Sequence, residues 1–436
     1  MHRRTFIFTS GAVLSASSAW RAAGANDRVN LAVVGVRSRG REHIEVFGKL
    51  PGATVAAVCD IDSAHSERAV QLAEKVQGSK PKTYHDIRRL LEDKTIDAIS
   101  IATCNHWHAL ATIWACQAGK DVYVEKPASH NIFEGRRMVE EARKHGRIVQ
   151  VGMQSRSTAH KKRAIELLRE GVIGKLYLAK GLCYKRRQSI GKQPDGPIPP
   201  GVDYNLWLGP APQRPFNPNR FHYNWHWFWD YGNGDIGNQG VHEMDIARWG
   251  LGKDTLPRKV SSSGGRFAYD DDQETPNTQL ATFEYDDCHL VFEVRGLLTG
   301  IEAGIGPEPG SLNCIGNIFF GSEGYLSVDL GGFQVYLGEK REPGPAMKSA
   351  EPRSWDTSPH AANFLEAVRS RKHADLTCDI REGHLSSALC HLANISYRTG
   401  RKLHFDPAAE RFVNDAEANE MVTRRYRPPF VVADRG

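Results

Sequence analysis

The 436-residue chain predicts an α/β fold in two parts: an N-terminal doubly wound parallel sheet, then an α+β domain built on a large, mostly antiparallel open sheet. Three observations predict it. A chain this long divides into more than one core. Residues 28–151 alternate short apolar runs with helical patterns, the mark of βαβ units. Beyond Val151 strand-like runs follow one another with few helices between them, which suits antiparallel pairing.

The parallel half opens with RVNLAVVG, Arg28 to Gly35, a nearly continuous apolar strand. A turn follows, Gly35-Val36-Arg37-Ser38-Arg39-Gly40, then a helical pattern through Leu50 and a second strand, Thr54 to Cys59, ending in Asp60. This is the glycine turn of a dinucleotide site: the first glycine allows the tight turn, the last allows close strand–helix packing, and the helix N-terminus faces the pyrophosphate. Asp60 lies about 20 residues past Gly40, where an acid takes the ribose hydroxyls. Arg37 stands where a middle glycine is usual. Asp60 and Asp62 would repel a 2′-phosphate, favouring NAD, while Arg37 or Arg39 leaves NADP open.

Alternation continues with helices over 63–76, 86–91, 109–117 and 132–145, and strands over 98–102, 121–124 and 148–151. In an open parallel sheet, ligands bind beyond the carboxyl ends of the strands. Those ends carry Thr103, Cys104, Asn105, His106, Trp107 and His108, then Glu125, Lys126 and Pro127. Lys126 falls where a nicotinamide and a substrate would meet. His106 and His108 form an HxH pair, but no third ligand has zinc spacing, so no metal is expected and both read as loop histidines beside the cofactor.

In the second half, strands are expected at 176–184, 259–267, 279–285, 289–295, 315–321 and 324–328, and closing helices at 363–369 and 382–397. A Pro/Gly-rich segment, 188–220, has the character of a functional loop or lid. It leads into FHYNWHWFWDYGNGDIGNQGVHEMDIARW, Phe221 to Trp249. Aromatic rings beside His, Asp and Asn suit a pyranose, whose CH faces stack on rings and whose hydroxyls need polar partners. Packing of those rings into a core is the alternative reading. Trp225 and Trp227 are candidates to stack on a sugar, Asp235 and Asn238 to bind its hydroxyls, and Tyr184 and Arg156 to face the cleft.

The net charge of +6 is small for this length and gives no case for nucleic acid; the basic clusters at 161–163 and 185–187 read as solvated faces. Arg3-Arg4-Thr5-Phe6-Ile7, a weakly apolar Ser/Gly/Ala run and Ala23-Gly24-Ala25 read as a twin-arginine export signal. No segment is apolar enough to be transmembrane. The expected organisation is a signal over 1–25, a dinucleotide domain over 26–150, a substrate and oligomerisation domain over 151–405 and an extended tail over 406–436. The expected location is the periplasm. Eight cysteines show no CxxC or zinc spacing and no evident disulfide pair.

Taken together, the glycine turn, Ala102-Thr103-Cys104-Asn105-His106-Trp107-His108-Ala109, Glu125-Lys126-Pro127 and Gly240-Val241-His242-Glu243-Met244-Asp245 resemble the Gfo/Idh/MocA oxidoreductases over nearly all of residues 28–430. The resemblance implies a Rossmann domain, a sheet domain whose outer face makes homodimers or homotetramers, a tightly held nicotinamide cofactor and carbohydrate-like substrates. It also implies a lysine beside the reacting carbon, here Lys126, followed by a cis-proline, here Pro127. The family's acid four residues before the histidine is replaced by Asn238. If the segment is one helix, Asp235, Asn238, His242, Asp245 and Trp249 share a face.

For oxidation of a sugar hydroxyl, His242 is the better-tuned base, Lys126 would hold the hydroxyl and stabilise a developing alkoxide or, with its pKa lowered by burial beside the cofactor, act as the base instead, and Asp245 would orient His242 or simply cap and pair locally. Exported relatives of this kind include a glucose–fructose oxidoreductase and NAD-dependent glycosidases. The expectation is therefore a periplasmic carbohydrate oxidoreductase with a recycled cofactor, with glycoside cleavage by transient oxidation and non-catalytic sugar binding as the alternatives.

Overall fold

The computed structural model describes residues 28–297, 299–300, 302, 305–306, 313–350 and 356–434. The expected export signal lies outside them. The first sheet has six parallel strands in the order 3-2-1-4-5-6: β1 (Val29–Val34), β2 (Ala53–Cys59), β3 (Lys82–Tyr84), β4 (Ala98–Ile101), β5 (Asp121–Val124) and β6 (Val149–Val151). The crossovers are α1 (Ser38–Lys49), α2 (Ser63–Gln77), α3 (Ile87–Glu92), α4 (Asn105–Gln117) and α5 (Ile132–Lys144). Strands β4 and β5 are buried at every residue, which is why they read as unbroken apolar runs with no alternation. The strand order reverses between β1 and β4, the switch point where such sheets open a crevice.

The second sheet has ten strands. After α6 (Ala159–Arg169) comes β7 (Leu176–Tyr184), at the middle of the sheet. β7 pairs parallel to β10 (His289–Arg295) and antiparallel to β11 (Cys314–Gly321). β8 (Lys259–Gly265), β9 (Thr278–Glu284), β12 (Gly324–Asp329), β13 (Gly332–Leu337) and β14 (Glu342–Lys348) extend the sheet on either side. One face packs on α9 (Gly240–Gly250) and α11 (Ile380–Thr399), burying Ala281, Phe283, Leu290, Phe292 and Phe319 in the main core. The opposite face carries the alternate residues of these strands, among them Leu182, Tyr184 and Ile318, in a separate small cluster.

The sequence pattern stops short in four places. β13 and β14 were not expected, since GFQVYL and EPGPAMK are broken by Gly and Pro. The tail is only partly extended: it carries β15 (Leu403–Asp406), β16 (Arg411–Phe412) and a short helix at Ala416–Glu420. Helix α10 (Ser358–Ser370), which lies between β14 and β15 of the second sheet in sequence, packs on the first: Phe364 meets Phe47 and Tyr123 edge-on. Lys161, expected on a solvated face, is buried with Nζ donating 3.0 Å to Ser155 Oγ. All eight cysteines are free thiols, seven of them buried.

Candidate active site

A cleft of about 450 Å³ runs along the carboxyl ends of β1, β2, β4 and β5 and passes under the segment 206–242. Its inner end is built by the glycine turn. Gly35 has φ +80, and a Cβ there would meet the Ala102 carbonyl at 2.8 Å; a Cβ on Gly40 would sit 1.9 Å from the Gly35 oxygen. No larger residue fits either position. Arg37, the N-cap of α1, offers no side-chain cap, so the first amides of α1 remain available to an anion in the cleft. Arg37 and Ser38 are exposed along the wall. Asp60 closes the turn: its carboxylate accepts from the Val36 N–H at 2.8 Å and the Asp62 N–H at 3.0 Å, and burial raises its pKa against those bonds. These features fit a dinucleotide, with the pyrophosphate at α1 and a ribose at Asp60.

The other end, around Lys126, is organised by Glu125. Its carboxylate accepts from Arg39 Nε at 2.7 Å and Gln154 Nε2 at 3.2 Å, and His43 Nε2 lies at 3.1 Å. Burial pushes its pKa up, but Arg39 and His43 outweigh that and hold it well below the carboxylate range. Glu125 is thus a fixed negative charge beneath Lys126. The Lys126–Pro127 bond is cis, and Lys126 Nζ donates 2.7 Å to the Asn238 carbonyl. An ammonium has three donors, so two are left for a ligand. Burial lowers the Lys126 pKa while Glu125 opposes the shift. His242, in the first turn of α9, lines the same cavity. Burial first, and the Lys126 charge second, press its pKa well below 6.5. His242 is therefore held in the neutral form that accepts a proton, but the depressed pKa makes it a weaker base than the near-neutral tuning expected from the sequence.

The structure gathers most of the expected residues here. Gly35, Arg37, Ser38, Arg39, Asp60, Thr103, Asn105, His108, Glu125, Lys126, Trp225, Asn238 and His242 all line the cleft. Asn105 donates to Asn233 Oδ1 at 2.9 Å, and His108 lies 2.7 Å from the Pro127 carbonyl and 3.1 Å from that of Thr103, bracing both loops. Pro127 and Gly40 are buried behind the wall.

Other expected residues lie off the cleft, each for a local reason. Asp245 is fully buried and held by Arg156 through Nε and Nη2, both at 2.8 Å, and by Ser386 Oγ at 2.6 Å. It sits one turn beyond His242, about 4.5 Å deeper along α9, and neither it nor Arg156 reaches the cleft. Arg156 also pairs with Glu382, so the cluster clamps α9 to α11. Tyr184 points to the opposite face of the second sheet and donates to Glu293 at 2.9 Å. Asp235 is taken by Arg187 at 2.6 Å, and Trp227 lies under that same guanidinium. The one-face expectation fails because the helix breaks: α8 (Gly234–Asn238) and α9 are separate, with Gln239 between them. His106 lies off the cleft that His108 lines; its Nε2 faces the Trp207 carbonyl at 2.9 Å, and burial drops its pKa to about 3.

The aromatic run resolves into both of its readings. Tyr204, Trp207, Phe216, Phe221, Trp227, Phe228 and Tyr231 form a compact cluster under the lid segment. Trp225 is buried in the same cluster and, like its members Trp207 and Phe221, also lines the cleft, where Tyr223 and His226 join it, the His226 ring stacked 3.6 Å from Trp225. The chain forms 3₁₀ turns at Pro218–Arg220 and Asn224–Trp227 rather than a strand. Alternation therefore does not predict which rings face the ligand. Gln154, Gln239, His222 and His226 line the cleft and were not among the expected residues; the interleaved histidines of FHYNWHW were the one available signal.

Comparison with known proteins decides the family. The profile of the oxidoreductase family with an NAD-binding Rossmann fold, Gfo/Idh/MocA, matches residues 29–153, and that of its C-terminal alpha/beta domain matches 178–297 and 333–432. The chain belongs to the Gfo/Idh/MocA oxidoreductases. It is an NAD(P)-binding member by the first of these domains. An inositol 2-dehydrogenase of Klebsiella pneumoniae is 27% identical over 299 residues, covering 65% of this chain and 75% of that protein. A glycosyl hydrolase family 109 protein of Akkermansia muciniphila is 28% identical over 157 residues, only 34% of this chain and 32% of its own length. Among solved structures, the WlbA dehydrogenase from Bordetella pertussis, crystallised with NADH and UDP-GlcNAcA, superimposes with TM-score 0.63 at 19% identity over 87% of this chain and 99% of that one. Among the described residues, no helix is long and apolar enough to cross a membrane.

Proposed function

We propose that this Gfo/Idh/MocA protein is a periplasmic oxidoreductase acting on a hydroxyl of a sugar or glycoside, exported folded with its dinucleotide tightly bound and recycled within each turnover. One observation carries the reading: Lys126, neutral His242 and the Trp225–His226 wall meet in the cleft whose other end is the glycine turn. When bound, a nicotinamide would supply hydride acceptance and return. The chain does the rest. Lys126 holds the reacting hydroxyl oxygen and stabilises negative charge there. His242 accepts its proton, and the Asn238 carbonyl fixes the ammonium in place. Trp225 offers an apolar face for the ring.

A periplasm offers no evident pool of free NAD, which favours retention over release. The similarity to glycosyl hydrolase family 109 proteins favours a second reading, glycoside cleavage by transient oxidation, elimination and re-reduction. For assembly, the outer face of the second sheet presents Leu280, 42% exposed, and the stacked pair Tyr325–Tyr336, a surface suited to a homodimer or homotetramer. Incubation with free sugars and aryl glycosides tests the function. A keto-sugar is the expected product; aglycone without net reduced nicotinamide selects the second reading; no product from any sugar contradicts both.

A further inference from the structure

At the outer lip of the cleft three side chains converge that the proposed chemistry does not use. Asp62, His65 and His222 each place one ligand-type atom within 4.8 Å of the other two. His65 Nε2 lies 3.6 Å from Asp62 Oδ2, and the two imidazoles meet edge-on with centroids 5.4 Å apart. We infer that these residues form a binding site for a divalent cation of the Zn²⁺ class, which clasps the lid segment to the dinucleotide domain.

The geometry is prepared from both sides. Asp62 is the N-cap of α2: its Oδ1 accepts from the Ala64 N–H at 2.9 Å and the His65 N–H at 3.4 Å, leaving Oδ2 for another partner. The same corner is tied to the lid, with Ser63 N–H donating to the Gly201 carbonyl at 3.0 Å and Asp203 N–H to that of Ile61 at 2.9 Å. His222 follows Phe221, which is buried against Trp207 and Phe216. Two imidazoles and a carboxylate with a fourth position open to the cleft are a borderline-soft donor set that suits Zn²⁺. Tetrahedral ligands at Zn–N and Zn–O lengths are about 3.4 Å apart; Asp62 and His65 are already near that spacing at 3.6 Å, and closure draws the half-buried His222 in from within 4.8 Å.

Two cations oppose it. Arg37 and Arg68 both act on His222, and Arg68 Nη2 lies 2.9 Å from His65 Nδ1. Arg68 is exposed, so it can swing into solvent at little cost. The site joins α2 to a residue 157 positions later. A bound ion would therefore hold the lid shut over the adenosine end of the cleft. This consequence rests on the dinucleotide reading; the site itself does not.

The test uses the full chain as purified, stripped with chelator and titrated with Zn²⁺ against a chromophoric competitor. One Zn²⁺ per chain is expected. His65→Ala and His222→Ala each weaken binding at least tenfold, Arg68→Ala matches or tightens it, and Zn²⁺ protects residues 188–220 from limited proteolysis and slows dinucleotide release. Co²⁺ on the unmutated chain gives a tetrahedral visible band, which guards against misfolded variants. Zn²⁺ uptake unaffected by His65→Ala and His222→Ala, absence of the Co²⁺ band, or binding without lid protection overturns the inference. A protein free of dinucleotide would defeat the proposed function while leaving the Zn²⁺ titration decisive.

Discussion

Glu125 and Asp245 are the acids next to the two chemical motifs, and physically they are twins. Each is buried, each is held ionised by an arginine, and each has a further side-chain partner. They differ in what lies on the other side. Glu125 adjoins Lys126 at the floor of the cleft, so its charge is felt by the reacting group. Asp245 lies a turn deeper on α9, where Arg156, Arg248 and Glu382 absorb it into a clamp between helices. Sequence spacing gives the same prominence to both; only the location of the neutralising cation separates a site charge from a structural one.

The comparison breaks if the two acids behave alike. The largest contrast is expected between neighbours on α9. His242→Ala should cut kcat by about 10²–10⁴-fold with the melting temperature nearly unchanged. Asp245→Ala should strand buried Arg156 and cost about 3–5 kcal/mol of stability, while the folded fraction keeps its turnover. Denaturant unfolding and single-turnover rates measured on both variants settle it; loss of turnover in folded Asp245→Ala would return that carboxylate to the chemistry.

Glu125→Gln should act on both counts at once. It removes the counter-charge from Arg39, and it also lowers the Lys126 pKa further, because Glu125 is what raises it. If the ammonium form is required, the alkaline limb of the kcat/KM profile should move to lower pH. An unmoved limb would detach Glu125 from Lys126.

A smaller, distributed effect follows from the histidines. Burial drops His106, His226 and His391 to about 3 and His222 and His360 to about 4. Their folded pKa values lie below the unfolded value near 6.5, so their stability contribution is intact above about pH 6.5 and is lost as pH falls through the window down to 3–4. Urea midpoints between pH 7 and pH 4 should fall steadily; a flat profile would mean these rings take up protons without unfolding.

The parallel sheet, the glycine turn and Lys126 were legible because each depends on local pattern: a buried strand reads as an apolar run, and Gly35 and Gly40 are demanded by backbone contact. Arg156 and Tyr184 were misplaced because their partners, Asp245 and Glu293, lie 89 and 109 residues away. Asp235 was misplaced because α8 and α9 break at Gln239, a change of phase that spacing does not carry. His222 and His226 are not legible in the sequence because the 3₁₀ turns at Pro218–Arg220 and Asn224–Trp227, not spacing along the chain, decide which side chains of the segment face the cleft.

The role proposed for Lys126 is to stand between a retained nicotinamide and a sugar hydroxyl. It is tested by mixing the purified protein, unmodified or as Lys126→Ala, with the turned-over sugar, following nicotinamide absorbance within one turnover, and then denaturing both to count the dinucleotide. The prediction is a full complement of cofactor in both, with reduction in the unmodified protein and a loss of rate of about 10³-fold or more in the variant. Protein purified without dinucleotide, or Lys126→Ala reducing it at the unmodified rate, would contradict the account.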